Sequence, residues 1–350
     1  MNAKLKKDLY FPDKNLSVVI SGPGLHHLDE TGIPDIGVDE VLINIQYVGV
    51  CSTDLDVLEG NLGYYRSGWA KYPIIPGHEF SGIIALAGTK VAGLMPGDKV
   101  VGECILGCGA CAQCLAESPI NCKARKEVGV LNFNGAYSRY LKMPARFVHK
   151  LPDEASLNKA CLIEPLAVAV RGINKLFLGE NSRQKKLIAV LGHGTIGNLC
   201  AQLITLRGHD IVIFDNNPLR IRDLKINEHV GGETNIVGLD RFDYIVEATG
   251  NPDVLKKALG ESKTGVKILL LGLPYASFDF NFESIVSHDK TILGSVGSSK
   301  KEFDQAVDIY EKMDLDSLTR NVFPLSNYEK AWQHHKNGQV AKAILRINET

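Results

Sequence analysis

Short apolar runs broken by glycine and proline dominate the first 150 residues. Val18–Ile20, Val41–Val48, Gly82–Leu86 and Lys99–Val101 read as strands, with turns at Ser21-Gly-Pro-Gly24, Pro76-Gly77 and Pro96-Gly-Asp98. That spacing predicts a barrel-like or sandwich-like all-β domain. From about Glu164 the pattern changes. Leu166–Leu178 has helical periodicity, and apolar strands then alternate with helices. The strands are expected at Lys186–Leu191, Asp210–Phe214, Tyr244–Glu247, Val266–Leu271 and Thr291–Leu293, with helices such as Ile196–Leu206 and Pro252–Leu259 between them. The alternation predicts an α/β fold built on a doubly wound parallel sheet. Beyond it, Lys301–Met313 places Phe303, Ala306, Val307 and Tyr310 on one helical face, and Asn327–Asn337 forms a second helix. A last strand-like run, Ala343–Ile347, has no place in the parallel sheet, which leaves the first domain to receive it. No internal repeat or low-complexity segment interrupts this order.

Composition narrows the class. A chain of 350 residues suggests two domains. Lysine and arginine total 39 against 40 acidic residues, a formal charge of −1. A protein that binds nucleic acid or an anionic membrane needs a basic surplus, so neither partner is expected. Apolar residues make up 45% and charged ones 23%, unlike a disordered chain. No apolar stretch approaches the ~20 residues that span a bilayer. Met1 to Asn15 lacks the apolar core of a signal peptide, and Lys4, Lys6 and Lys7 read as a solvated face. A cytoplasmic enzyme is expected. Of eight cysteines, four fall between Cys108 and Cys122, which points to metal rather than disulfides.

The strand Lys186–Leu191 runs into Gly192-His193-Gly194-Thr195-Ile196-Gly197, a G-x-G-x-x-G at a strand-to-helix junction. Glycines there permit a tight turn and let the backbone approach a pyrophosphate seated on the helix N-terminus. Asp215 ends the next strand, placed to accept a hydrogen bond from a ribose 2′-hydroxyl. A carboxylate repels a 2′-phosphate, so NAD is expected rather than NADP. Arg220 and Arg222 lie close by and weigh slightly the other way. His193 either touches the cofactor phosphates or is a solvated loop residue.

Cys108-Gly-Ala-Cys111-Ala-Gln-Cys114, followed by Cys122, gives C-x2-C-x2-C-x7-C. Four thiolates so close in sequence suit one tetrahedral zinc with no open position, hence a structural ion that holds a polar, glycine-rich lobe. Cys200 reads as a buried small residue and Cys161 as packing. Cys104 has no partner by spacing.

Three further stretches carry chemistry: Cys51-Ser-Thr53-Asp54, Gly77-His78-Glu79 and Glu164-Pro-Leu166. Singly, a cysteine after an apolar strand is more often core, and Glu-Pro is a helix start. Together they offer one thiolate, one imidazole and two carboxylates, a set suited to a zinc with an open position. At this point the chain resembles the zinc-dependent medium-chain dehydrogenases. The resemblance rests on Gly77-His-Glu-Phe-Ser-Gly82 with Gly88 and Val91, Pro96-Gly-Asp-Lys-Val100, the cysteine lobe, the glycine loop and Glu247-Ala-Thr-Gly250, all in the family's order. Glu164-Pro-Leu is most similar to the sorbitol (polyol) dehydrogenases, with threonine and glucose dehydrogenases close by.

The resemblance implies a GroES-like catalytic domain, residues 1–160 and 300–350 with the zinc lobe at 104–122, interrupted by a Rossmann domain at 161–299. It implies that Cys51 and His78 hold a catalytic zinc, with Glu79 and Glu164 as acidic candidates. One of these ligates directly and the other acts through water, and the sequence leaves open which. Asp54 is expected to accept a hydrogen bond from His78. Thr53 would pass the alcohol proton into a relay, whose usual terminal histidine is replaced here by Asp56. Thr249, Gly250 and Gly272 join the cofactor-binding positions. Two zincs per chain follow.

Asn61 to Lys71 holds Tyr64, Tyr65, Arg66 and Trp69, which suit either a polar substrate or a surface loop packed on the core. Tyr64, Arg66, Trp69 and Asp56 are the substrate candidates, and Asn132-Phe133-Asn134 is a weaker one. The expected reaction is oxidation of a polyol, sugar alcohol or (amino)cyclitol to a ketone with NAD. An L-threonine-type amino alcohol is the alternative, then a sugar 1-dehydrogenase; outside enzymes, an NAD-binding structural or sensing protein. By resemblance the strand near Thr291–Val296 pairs across a homodimer or homotetramer.

Overall fold

A computed structural model of the chain describes residues 14–180, 184–222 and 230–348. Lys4, Lys6, Lys7 and nearly all of the opening segment lie outside the described residues. The chain divides into two compact units. One comprises Met1–Glu164, Ser298–Tyr310 and Leu315–Thr350; the other comprises Pro165–Gly297 and Glu311–Asp314.

The first unit is built on a seven-stranded sheet. Its path runs Val148–Lys150, Lys99–Gly102, Glu79–Ala87, Glu40–Gly49, Ile344–Arg346, Val322–Pro324, and Tyr140–Pro144 also pairs with Glu40–Gly49. The long central strand Glu40–Gly49 buries Val41, Ile43, Ile45 and Val48 against Phe80, Ile84, Val100, Tyr137 and Leu345. Ile344–Arg346 runs antiparallel to that strand, with Ile344 opposite Gly49, so the final apolar run completes the first unit's sheet. A hairpin of Asn15–Gly22 and Leu25–Thr31 attaches through bridges from Ser17 to Ser138 and Ile20 to Ile74. Its second strand, LHHLDET, is mostly exposed, which is why no apolar alternation marks it in the sequence.

The second unit is a six-stranded parallel sheet in the order Val230–Glu233, Asp210–Phe214, Leu187–Leu191, Tyr244–Glu247, Lys267–Leu270, Thr291–Gly294. This is the doubly wound Rossmann order, with the switch point beside the first strand. The strand Val230–Glu233 is half glycine and only half-buried, so it carries no strand signal of its own. Ile188 to Leu191 are fully buried, as both faces of such a sheet are covered. The helix expected from Leu166 begins at Ile163, because Pro165 is tolerated in a first turn whose N–H groups have no helical partner. The helix expected over Lys301–Met313 is α-helical over Lys300–Ile309 and tightens to a 3₁₀ turn at Tyr310–Lys312. Among the described residues no helix is long and apolar enough to cross a membrane.

Candidate metal centres and nucleotide loop

Sheet pairing assembles the first centre. Glu40–Gly49 delivers the chain to Cys51, the N-cap residue of the helix Ser52–Glu59, while its partner strand begins at Glu79 opposite Gly49. Donor atoms of Cys51, His78 and Glu79 consequently lie within 4.8 Å of one another, with His78 and Glu79 buried. Glu164 stands in the first turn of Ile163–Leu176, also buried, but is not among the donors that approach this closely. Burial pushes its carboxyl up to about 7, with Glu79 adding to the rise and His78 opposing it. Burial alone would disfavour a charged His78, yet Cys51, Asp54 and Glu164 together lift it well above the usual histidine range. A thiol, an imidazole and a carboxylate gathered this closely are donor types that a divalent zinc takes.

Asp54 works differently from expectation. His78 Nδ1 is 3.6 Å from Asp54 Oδ1, too long for a hydrogen bond, and Nδ1 is buried without a partner. The carboxylate instead accepts the Cys51 N–H at 2.9 Å and the Gly77 N–H at 3.1 Å. Tyr137 also donates to it, at 3.0 Å, and Trp332 Nε1 lies 3.4 Å from the Tyr137 hydroxyl. Asp54 thus ties the backbones of both ligand-bearing segments to one point. Thr53 and Asp56 occupy the same helix, both half-buried.

Side chains beyond the sequence reading complete the region. Lys342, only 1% exposed, forms an ion pair with Glu79; its position just before an apolar run was the one available signal. Tyr64 bonds Arg125 at 2.9 Å and Glu127 at 3.3 Å. The Arg125 guanidinium sits 4.6 Å from the Trp69 ring, so these loop aromatics are held by a cation from another segment. Arg66 is exposed. Asn132 and Asn134 brace the loop, donating to Trp69 O at 2.7 Å and accepting from Ile75 N–H at 3.2 Å.

In the cysteine lobe the four Sγ atoms of Cys108, Cys111, Cys114 and Cys122 all lie within 4.8 Å of one another. Cys108 and Cys114 are 3.9 Å apart. A tetrahedral zinc with bonds of about 2.3 Å separates its sulfurs by about 3.8 Å, so the lobe fits that ion. Backbone N–H groups of Ala110 and Cys111 pull the Cys108 thiol down to about 6, whereas burial pushes Cys114 up to about 11. Cys104, Cys161 and Cys200 are buried and unbridged.

In the second unit, Gly192 has φ 92° and Gly197 no room for a side chain: a Cβ there would lie 1.8 Å from Gly192 O. Nothing approaches the Cβ position of Gly194, at the N-cap of Thr195–Leu206, leaving open the place where a phosphate would meet the helix N-terminus. Asp215 is buried, accepting the His193 N–H at 2.7 Å and the Asn217 N–H at 2.8 Å and pairing with Arg220 at 3.2 Å. His193 Nε2 is 3.1 Å from Asn198 Nδ2, and burial lowers the ring to about 4. Half-buried Ile196 continues the loop into the helix. Glu247 accepts the Thr249 N–H at 2.7 Å and the Gly250 N–H at 3.2 Å, and Gly272 backs directly onto Gly250.

Comparison with known proteins follows this division. The family model described as the alcohol dehydrogenase GroES-like domain matches residues 37–153, and that described as the glucose dehydrogenase C-terminus matches residues 157–347. An L-threonine 3-dehydrogenase of Solibacter usitatus is 28% identical over 344 residues, covering 93% of this chain and 97% of the relative. Galactitol-1-phosphate dehydrogenase of Escherichia coli superposes with a TM-score of 0.81 at 24% identity, covering 95% of this chain and all of the other. A zinc-binding dehydrogenase structure from Sinorhizobium meliloti, bound to NADP, gives a TM-score of 0.83 at 22% identity over 96% of this chain and all of the other. With its second half matched along more than half the chain and its first half matched by a GroES-like domain, this protein belongs to the zinc-dependent medium-chain dehydrogenase/reductase family.

Proposed function

We propose that the chain oxidises a secondary alcohol in a small polar compound, a polyol, sugar alcohol or aminocyclitol, to a ketone and passes the hydride to NAD. The observation that carries this reading is the buried Cys51, His78 and Glu79 donor set, with Glu164 beside it. Zinc bound there would polarise the alcohol oxygen as a Lewis acid. Cys51, His78 and one carboxylate would hold it, and Asp54 fixes the backbones that carry Cys51 and His78. Thr53, two residues past Cys51 on the same helix, would take the hydroxyl proton toward Asp56. Four thiolates in the lobe would hold a second, structural zinc.

NAD is favoured by the fixed carboxylate of Asp215, since a 2′-phosphate would meet its charge. Arg220 is held by that same carboxylate. Assembly as a homodimer or homotetramer would use the sheet edge Thr291–Gly294, near which Val286 and Val296 are exposed.

A second reading, oxidation of an L-threonine-type amino alcohol, is favoured by the threonine dehydrogenase relatives. One experiment separates the readings: NAD and NADP reduction across polyols, sugars, aminocyclitols and L-threonine, on protein of known zinc content. Turnover confined to L-threonine would replace the first reading with the second. No turnover on any substrate by fully zinc-loaded protein would favour a binding role instead.

A further inference from the structure

The cysteine lobe does not end at its last cysteine. Arg125 N–H donates to Cys122 O at 3.1 Å, so the chain leaves the buried Cys122 in a tight turn and enters the strand Lys126–Val128. That strand runs antiparallel to Ile105–Leu106, with Ile105 opposite Glu127. Gly129 follows it and is pressed on Gly77, the residue before His78: a Cβ on Gly129 would fall 2.6 Å from Gly77 N. The stretch 122–129 thereby connects the lobe with the turn that carries a donor of the other centre.

From this stretch Arg125 reaches the aromatic loop, which follows the helix that Cys51 opens. Its Nε donates to Glu127 Oε1 at 2.8 Å, and a terminal nitrogen donates to the Tyr64 hydroxyl at 2.9 Å. The guanidinium carbon lies 4.6 Å from the Trp69 ring and 5.5 Å from that of Tyr64, and these two rings meet edge to face at 5.1 Å. The Arg125 and Glu127 side chains are only 12% and 10% exposed, so each charge depends on the other. A planar guanidinium can serve carboxylate, hydroxyl and ring together, which an ammonium cannot. We propose that Arg125 is a positioning residue that passes the order of the zinc lobe to the loop of Tyr64 and Trp69, so that the ion held by four cysteines governs how well substrate binds at the other centre. The proposal rests on the readings that the lobe holds zinc and that this loop meets the substrate. With the lobe folded, Cys122 fixes the Arg125 backbone, Glu127 fixes its guanidinium, and both rings are in place before substrate arrives. Such ordering lowers the cost of binding without touching the hydride step.

The test uses zinc-loaded full-length protein and measures kcat and KM on an active substrate of the panel, zinc content, and acrylamide quenching of tryptophan fluorescence. Of the two tryptophans, Trp332 is buried and Trp69 is 38% exposed, so quenching reports on the loop. Zinc content of the unaltered protein, expected at about two per chain, tests the lobe reading separately. Arg125→Ala keeps both ions and raises KM about tenfold at nearly constant kcat, because two ring side chains must then be ordered on binding. Cys122→Ser leaves Arg125 in the chain but removes the lobe's ion; it raises KM as much and makes Trp69 more readily quenched. The double variant shows no further rise, since both changes act through one route. A general defect in folding would instead lower kcat and catalytic zinc content together. Unchanged KM in Arg125→Ala, unchanged quenching in Cys122→Ser, or effects that multiply in the double variant overturn the proposal. Should Arg125→Ala fail to fold, Arg125→Lys, which keeps the charge but not the fork, must raise both KM and quenching or the proposal fails. If no substrate of the panel is turned over, the quenching of Cys122→Ser still decides the coupling, and an unchanged value rejects it.

Discussion

Replacing Asp54 by asparagine separates a fold-stabilising contact from one that organises the metal centre. Asp54 Oδ2 accepts from Cys51 N–H and from the Tyr137 hydroxyl, and Oδ1 from Gly77 N–H. An amide has one acceptor oxygen. Placing it at the Oδ2 position keeps two of these bonds and turns the NH2 group toward the Gly77 N–H. One buried donor left unmatched costs about 1–3 kcal/mol. Against this, the substitution removes a charge that is wholly buried, and burial is what pushes the Asp54 carboxyl above its ordinary range. The net loss of stability in Asp54→Asn is therefore expected below about 3 kcal/mol.

The effect on the metal should be larger in proportion. Gly77 precedes His78, so releasing its N–H uncouples the histidine segment from the cysteine segment. Loss of such supporting contacts costs about 10–100-fold in metal affinity. Urea unfolding of matched metal-loaded samples gives the first quantity, and competitive zinc titration the second. Tyr137→Phe is the control, for it removes one donor and leaves both backbone anchors; it should cost about 1 kcal/mol and barely move zinc affinity. Asp54→Asn with undiminished catalytic zinc affinity would refute the anchoring role.

Other consequences are equally direct. His193 is lowered to about 4, below its ordinary 6.5, by burial, so the unfolded chain binds the extra proton and stability falls as pH drops from about 6.5 toward 4. His193→Gln should flatten that part of the melting-temperature profile relative to the unaltered protein, and parallel profiles would contradict the assignment. Asp215→Ser removes the fixed carboxylate at the end of the second strand and should shift the ratio of NADP to NAD efficiency upward by at least about tenfold. An unchanged ratio would mean that Asp215 serves only to fasten the glycine loop. Cys122→Ser, at the buried member of the lobe, should lower zinc from about two per chain to about one and expose the lobe to limited proteolysis. Retention of both ions would place the second zinc elsewhere.

How much of this is legible in the sequence depends on whether the cause is local. The six-stranded sheet is, because buried parallel strands are unbroken apolar runs such as Leu187–Leu191, and helices of regular length separate them. The cysteine lobe is, because fifteen contiguous residues supply its whole donor set. Where a strand is exposed or glycine-rich, as in Leu25–Thr31 and Val230–Glu233, no periodicity betrays it. The function of Asp54 escapes for another reason. The family resemblance gives it an imidazole partner, but only the crossing of two segments shows that the carboxylate takes the Cys51 and Gly77 N–H groups and the Tyr137 hydroxyl. Nor does the sequence show that Arg125, distant along the chain, lies over the rings of both Tyr64 and Trp69.

The same distinction explains why two glutamates looked equivalent. Glu79 and Glu164 are both buried, the first within the close donor set and the second outside it, a difference that residue type cannot reveal. The neighbour each meets also separates them. Glu79 faces Lys342, whose charge offsets its own and whose contact occupies one of its oxygens. Glu164 stands at a helix start, where the partial positive charge of the first turn helps it only slightly against full burial. Lys342 lies directly against Glu79 and only opposes, without cancelling, the rise that burial imposes on the Glu164 carboxyl. A single residue just before the last strand thus gives two chemically identical side chains different surroundings.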